Sequence, residues 1–249
     1  MEDTDLDLEE AFEFLPMWNT QERVVVGYIC TPKGADHSFR YDLFSLMAAL
    51  TSIGRSEKSA SPPLIATPMH LDNLRRGRNC EHFAKFGLQS NPKVRERLVV
   101  ELVVDDVTVD PDDLFRAIDC VRTVCRTILL RVPMEFDAFE EIGDIKVYGI
   151  GTRLDPEKTP DYFSTLDNFV AQTEALGRHS YILGLDSMPA LTFAICAGFG
   201  HVNGPAVPRV GAGEVTYPLA IADLYGVARG SAAKLPAAHQ RQVVAADFR

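Results

Sequence analysis

The chain lacks any apolar run near the roughly 18 residues that a membrane-spanning helix requires, which argues against a membrane protein. Its opening, MEDTDLDLEE, is acidic and has neither the basic nor the apolar region of a secretory signal, so a cytoplasmic location is expected. There is one tryptophan, and the five cysteines (Cys30, Cys80, Cys120, Cys125 and Cys196) are odd in number, scattered, and without C-x-x-C spacing. That pattern speaks against a disulfide framework and against a structural zinc site. Cys120 and Cys125 would stand about 140° apart on a helical wheel, a poor geometry for joint ligation, and the cysteines are expected as small core residues. Positive charge is also scarce. With 25 Lys and Arg against 35 Asp and Glu, the net charge of -10 disfavours nucleic acid or an anionic membrane as partner. No internal repeat, low-complexity tract or Gly-x-Ser-x-Gly nucleophile elbow is present. Gly149-Ile150-Gly151 and Gly211-Ala212-Gly213 lack the full spacing of phosphate-binding loops, and His70, His82, His179 and His201 show no ligand spacing.

What the sequence does contain is enough apolar material, 46% of 249 residues, for one domain with a large core. Short apolar strands alternate with amphipathic helices. Phe12 to Pro16 and Val24 to Ile29 flank a polar turn, Asn19 to Glu22, and predict an antiparallel hairpin. Phe39, Leu43, Leu46, Met47 and Leu50 form one helical face. A strand is expected at Leu64 to Thr67, followed by a polar helical stretch from about Asp72 to Phe86. Leu98 to Val104 reads as a buried parallel strand interrupted only by Glu101. Asp110-Pro111-Asp112-Asp113 is a helix start, with Asp as cap and Pro in the first turn. Further strands are expected at Thr127 to Val132, Ile145 to Ile150, Ser180 to Leu183 and near His201, with a long helix from about Pro160 to Leu176. This alternation predicts an α/β fold, a (βα)8-like TIM-type barrel with an antiparallel opening hairpin, over an open doubly wound sheet. Residues 1–11 read as an acidic tail, 12–229 as the barrel domain, and 230–249 as a loosely ordered C-terminal tail.

The stretch from Ala175 to Pro208, ALGRHSYILGLDSMPALTFAICAGFGHVNGPAVP, holds a helix end, an apolar strand, a Gly turn, an apolar helix and a second Gly-rich turn. In this order of elements it resembles the last third of the EAL-type cyclic di-GMP phosphodiesterase domain. The family's Glu-Gly-Val-Glu turn is represented by Leu183-Gly184-Leu185-Asp186, and its Gln-Gly pair by Asn203-Gly204. The resemblance implies two divalent cations, Mg²⁺ or Mn²⁺, held by clustered carboxylates that offset the repulsion between the ions. Those carboxylates are largely missing. The Glu-Ala-Leu signature falls on Ile29-Cys30-Thr31, the expected Asn on Thr67-Pro68, and the adjacent acidic pair on Arg131-Val132. Glu101 is retained, Lys146 stands for the family's Lys, and Asp186 and Asn203 stand for a Glu and the Gln.

Glu101, Arg131, Lys146, Asp186 and Asn203 are thus expected to form a vestigial site with no catalytic or metal-holding role. Glu101 and Arg131 read as a buried ion pair filling the place of the metals. A rival reading has Arg131, Lys146 and Asn203 bind the phosphates of cyclic di-GMP without hydrolysis. A third, a hydrolase using Asp105, Asp106 and Asp186 with Mg²⁺ or Mn²⁺, predicts three or more acids converging at one strand mouth. The leading expectation is a catalytically inactive EAL-like domain in bacterial signalling, without a cofactor, acting through a protein partner. The family resemblance also implies self-association as a homodimer. The acidic head, Glu2 to Glu10, and the basic segment Arg75 to Arg97, with seven Lys or Arg against Glu81 and Glu96, are its candidate contact regions.

Overall fold

The computed structural model describes residues 11–22, 24–34, 37–56, 63–155 and 162–207. Eight strands close into one barrel in chain order: β1 (Phe12–Asn19), β2 (Val24–Pro32), β3 (Leu64–His70), β4 (Leu98–Val103), β5 (Thr127–Arg131), β6 (Gly149–Arg153), β7 (His179–Leu183) and β8 (His201–Asn203). β1 runs antiparallel to both β2 and β8, and every other neighbouring pair is parallel. The opening hairpin is therefore built into the barrel wall. Asn19 sets its turn, the side-chain Oδ1 accepting the backbone N–H groups of Gln21 and Glu22 at 2.9 Å each.

Parallel neighbours require long crossovers, and helices supply them: α1 (Phe39–Ser56), α2 (Leu71–Leu74), α3 (Gly77–Leu88), α4 (Pro92–Arg95), α5 (Pro111–Arg122), α6 (Tyr162–Ala175) and α7 (Met188–Cys196). α5 starts where its sequence says it should. Asp110 Oδ1 accepts the N–H of Asp112 at 2.9 Å, Pro111 occupies the first turn, and Leu114, Ala117, Ile118 and Val121 are buried.

The two-residue period of the strands sorts side chains into two cores. Met17, Ile29, Ala66, Val99, Tyr181 and Leu183 fill the barrel interior. A larger set packs between sheet and helices, Val100, Leu102, Ile150 and Ile182 among them. Glu101 follows Val99 by two residues and so points into the barrel, while its apolar neighbours in β4 face the helices. β8, only three residues long, is tied to β1 by a side chain as well as by backbone. Asn203 Nδ2 donates to the carbonyls of Leu15 and Pro16 at 3.0 and 2.9 Å, extending the ladder past the strand end.

Several expectations need correction. β6 begins four residues later than expected. Ile145 and Val147 do alternate apolar with polar, but they are buried in the outer core as an irregular segment, and pairing begins at Leu129 with Gly149. The polar stretch after β3 breaks into α2 and α3, and Cys80 in α3 is disulfide-bonded to Cys120 in α5. That contradicts the reading of unpaired core cysteines: α3 and α5 pack together, so the fold joins residues that no local spacing rule connects. Cys30 and Cys125 are buried thiols outside that bond. No helix among the described residues is long and apolar enough to cross a membrane. The acidic head, the start of the long helix at Pro160, and both the end of the barrel domain and the C-terminal tail lie outside the described residues.

Candidate functional site

The C-terminal ends of the parallel strands surround a cavity of about 320 Å³, the end of such a barrel at which ligands are bound. β4 supplies Glu101, β5 supplies Arg131, and β6 supplies Thr152 and Arg153 to its lining. Glu101 is fully buried, with no measurable exposure. Its Oε1 accepts the Tyr181 hydroxyl at 2.9 Å, and its Oε2 lies 3.3 Å from Arg131 Nη1. A buried carboxylate is held only if charge and hydrogen bonds compensate it, and here Arg131 supplies the charge and Tyr181 the hydrogen bond.

Gly151 makes this arrangement sterically accessible. Tyr181 lies across β6 inside the barrel, and a Cβ on Gly151 would sit 2.4 Å from its ring. Only glycine lets the ring pass from β7 over β6 toward β4.

Burial first, and the Glu101 charge second, hold the Tyr181 hydroxyl well above the ordinary tyrosine value, with Arg131 opposing. The native state therefore keeps this proton to higher pH than the unfolded chain does. The resulting stabilisation is complete below the unfolded value of about 10 and is lost as pH rises through the folded value. Tyr181→Phe is expected to lower stability by about 1.5–3 kcal/mol at neutral pH, the range for a hydrogen bond to a charged group. That gap should narrow above about pH 10, by up to ~1.4 kcal/mol per pH unit. Urea titrations at pH 8 and at pH 11 check it, and a gap that stays constant would remove Tyr181 from this role.

Of the expected site residues, the structure brings only Glu101 and Arg131 together. Lys146 is exposed and precedes β6 at the opposite end of the strand, where its carbonyl accepts from Arg122 Nη2 at 2.7 Å. Asp186 is exposed and does not line the cavity. Asn203 is buried with both described bonds spent on β1 carbonyls, which makes it a structural residue. The cation that does occupy the end of β6 is Arg153, which sequence reasoning missed. The signal was its place as a lone basic residue closing the strand Gly149-Ile150-Gly151-Thr152. Its side chain is exposed toward the mouth, and its guanidinium is lowered by loss of solvent and then by Arg131, with Glu101 opposing. A guanidinium is the most strongly basic of the side chains, so the group remains charged across the neutral range.

The positions that would hold the family's metal pair do not fit one. Ile29 packs in the barrel interior, and Cys30 is fully buried with its thiol pushed up to about 12 by burial, so neither offers an anionic ligand. Thr67 is buried, and Val132 is buried in the outer core. Arg131 places a cation beside the one retained acid. Asp105, Glu135 and Asp155 also line the mouth, yet among the described residues no three acids converge on a point. Asp106 and Asp186 lie outside the lining, so the alternative acidic set is not assembled either.

No model of any protein family matches the sequence, and no curated protein matches it. Solved structures do match the fold. An EAL domain protein from Listeria monocytogenes EGD-e superposes with a TM-score of 0.57 at 11% identity, covering 91% of this chain and 99% of its own. The Xanthomonas citri FimX EAL domain in complex with cyclic di-GMP gives 0.59 at 13% identity, covering 84% and 92%. Vibrio cholerae LapD, spanning S helix, GGDEF and EAL segments and bound to cyclic di-GMP, gives 0.61 at 11% identity, covering 79% and 54%. The chain thus has the α/β barrel fold of EAL domains.

Proposed function

We propose that the chain is a catalytically inactive EAL-like domain of cyclic di-GMP signalling, working by binding and not by hydrolysis. The observation that carries this reading is Arg131 lodged 3.3 Å from Glu101. A guanidinium there supplies fixed positive charge where the family's chemistry needs ions that generate a nucleophile, and an arginine cannot do that.

Two binding readings then separate, a phosphate-bearing ligand in the mouth or a protein partner on the surface. Arg153 favours the ligand. It makes no salt bridge to another described residue, it stands beside Arg131 at the mouth, and the cavity has the size usual for small-molecule sites. Two guanidinium groups at one mouth match the oxygens of a phosphodiester, and two of the three similar structures named above hold cyclic di-GMP.

Calorimetry with cyclic di-GMP in a chelator-treated buffer tests the choice. Saturable binding is expected, and Arg153→Ala should weaken it roughly ten- to a hundredfold, the equivalent of one charge-assisted hydrogen bond. Absence of heat at millimolar ligand would overturn the receptor reading in favour of a protein partner. The basic segment around α3 and α4 would then be the first surface to probe.

A further inference from the structure

On the rim of the same mouth, three successive βα connections bring together side chains that the vestigial site does not use. His37 follows β2, His70 ends β3, and Asp105 follows β4. One ligand atom from each lies within 4.8 Å of the others. We propose that His37, His70 and Asp105 bind a single divalent transition-metal ion of the zinc class.

The support behind these residues is what distinguishes the group from a chance cluster. His70 is buried, and its Nδ1 bonds to Asp42 Oδ1 at 2.8 Å, while its backbone N–H donates to Asp42 Oδ2 at 3.0 Å. Asp42 is itself buried and takes a third bond from Asn73 Nδ2 at 2.7 Å. That carboxylate fixes the Nδ1–H tautomer and leaves Nε2 as the free ligand atom, the arrangement that supports metal-bound imidazoles. Asn73 Nδ2 also donates to the His37 carbonyl at 2.9 Å, so one network holds both histidines. Their rings stack at 4.5 Å, and His37 Nδ1 is 3.8 Å from Asp105 Oδ2.

Zinc with nitrogen and oxygen ligands at about 2.0–2.2 Å needs those ligands about 3.4 Å apart in a tetrahedron. His70 is fixed, whereas His37 and Asp105 are exposed and free to close the remaining distance. Two imidazoles and one carboxylate suit zinc, cobalt or ferrous iron over magnesium or calcium, which take oxygen ligands. Three protein ligands leave a coordination position open toward the cavity lined by Arg131 and Arg153. None of the three stands at a position where the family resemblance implies a metal ligand, so the inference is independent of the ligand reading above.

The full chain, stripped with chelator, is titrated with Zn²⁺ by calorimetry without nucleotide and with millimolar Mg²⁺ as competitor. One equivalent is expected to bind, unaffected by Mg²⁺, and Co²⁺ in its place should give visible absorption of a low-coordinate site. His37→Ala and Asp105→Asn, both at exposed positions, should each weaken binding at least tenfold while leaving the thermal midpoint of the metal-free protein in place. Asp42→Asn should weaken it ten- to a hundredfold through His70. No saturable Zn²⁺ binding, binding indifferent to both exposed substitutions, or displacement by Mg²⁺ would each overturn the proposal. Zinc binding without cyclic di-GMP binding would refute only the receptor reading, and the converse would refute only this one.

Discussion

Replacing Arg131 with methionine is expected to lower stability by about 3 kcal/mol, the lower end of the cost of stranding one member of a buried ion pair. The lower end applies because Arg131 is itself 14% exposed, whereas Glu101 has no exposure at all. Removing the cation leaves a carboxylate in the barrel interior with the Tyr181 hydroxyl as its remaining described hydrogen bond. For a chain of this length such a loss lowers the melting midpoint by roughly 6–12 °C. The pair can also be removed without leaving a charge behind. Glu101→Gln with Arg131→Met keeps an acceptor for Tyr181, and the double variant should recover most of the loss. If Arg131→Met melts with the wild type, the guanidinium does not hold Glu101, and the proposal that Arg131 stands in place of metal ions fails with it.

Gly151→Ala should be at least as damaging, at about 3–5 kcal/mol. Its Cβ would fall 2.4 Å from the Tyr181 ring, which is 2% exposed inside the closed barrel and is held in place by its hydroxyl's bond to Glu101. Overpacking of this kind costs ~1–3 kcal/mol, and moving the ring also breaks a hydrogen bond to a charged group, worth ~1.5–3 kcal/mol. A double-mutant cycle separates these effects from an intrinsic cost of alanine in β6. In a Tyr181→Ala background the ring is gone, and adding Gly151→Ala should cost under ~1 kcal/mol. Equal costs in both backgrounds would mean that the glycine serves the strand and not the tyrosine.

These residues also show where the sequence was readable. The hairpin, β4 with its single acid, the capped start of α5 and the strand at β7 were legible because each rests on a local pattern of period, cap or turn. The barrel followed from their order. β6 was misplaced because Ile145 and Val147 imitate strand alternation while being buried against helices, whereas the true strand is glycine-rich so that Tyr181 can cross it. That one slip of register moved the expected cation from Arg153 to Lys146, from the mouth of the barrel to its other end. Asn203 looked like a ligand because an amide followed by glycine is a family feature, yet its hydrogen bonds complete a short strand. The Cys80–Cys120 bond and the His37, His70 and Asp105 group were not legible at all. Each joins residues on separate elements, and only closure of the barrel and the packing of α3 on α5 make them neighbours.

We propose that this barrel does not hydrolyse cyclic di-GMP. Purified protein incubated with cyclic di-GMP and either Mg²⁺ or Mn²⁺, then analysed for the linear dinucleotide, tests it most directly. The structure predicts no metal-dependent product, because Arg131 stands beside the one acid that the metals would need. Metal-dependent linear product, abolished by Glu101→Gln, would show that the mouth assembles a working metal pair and would contradict the account.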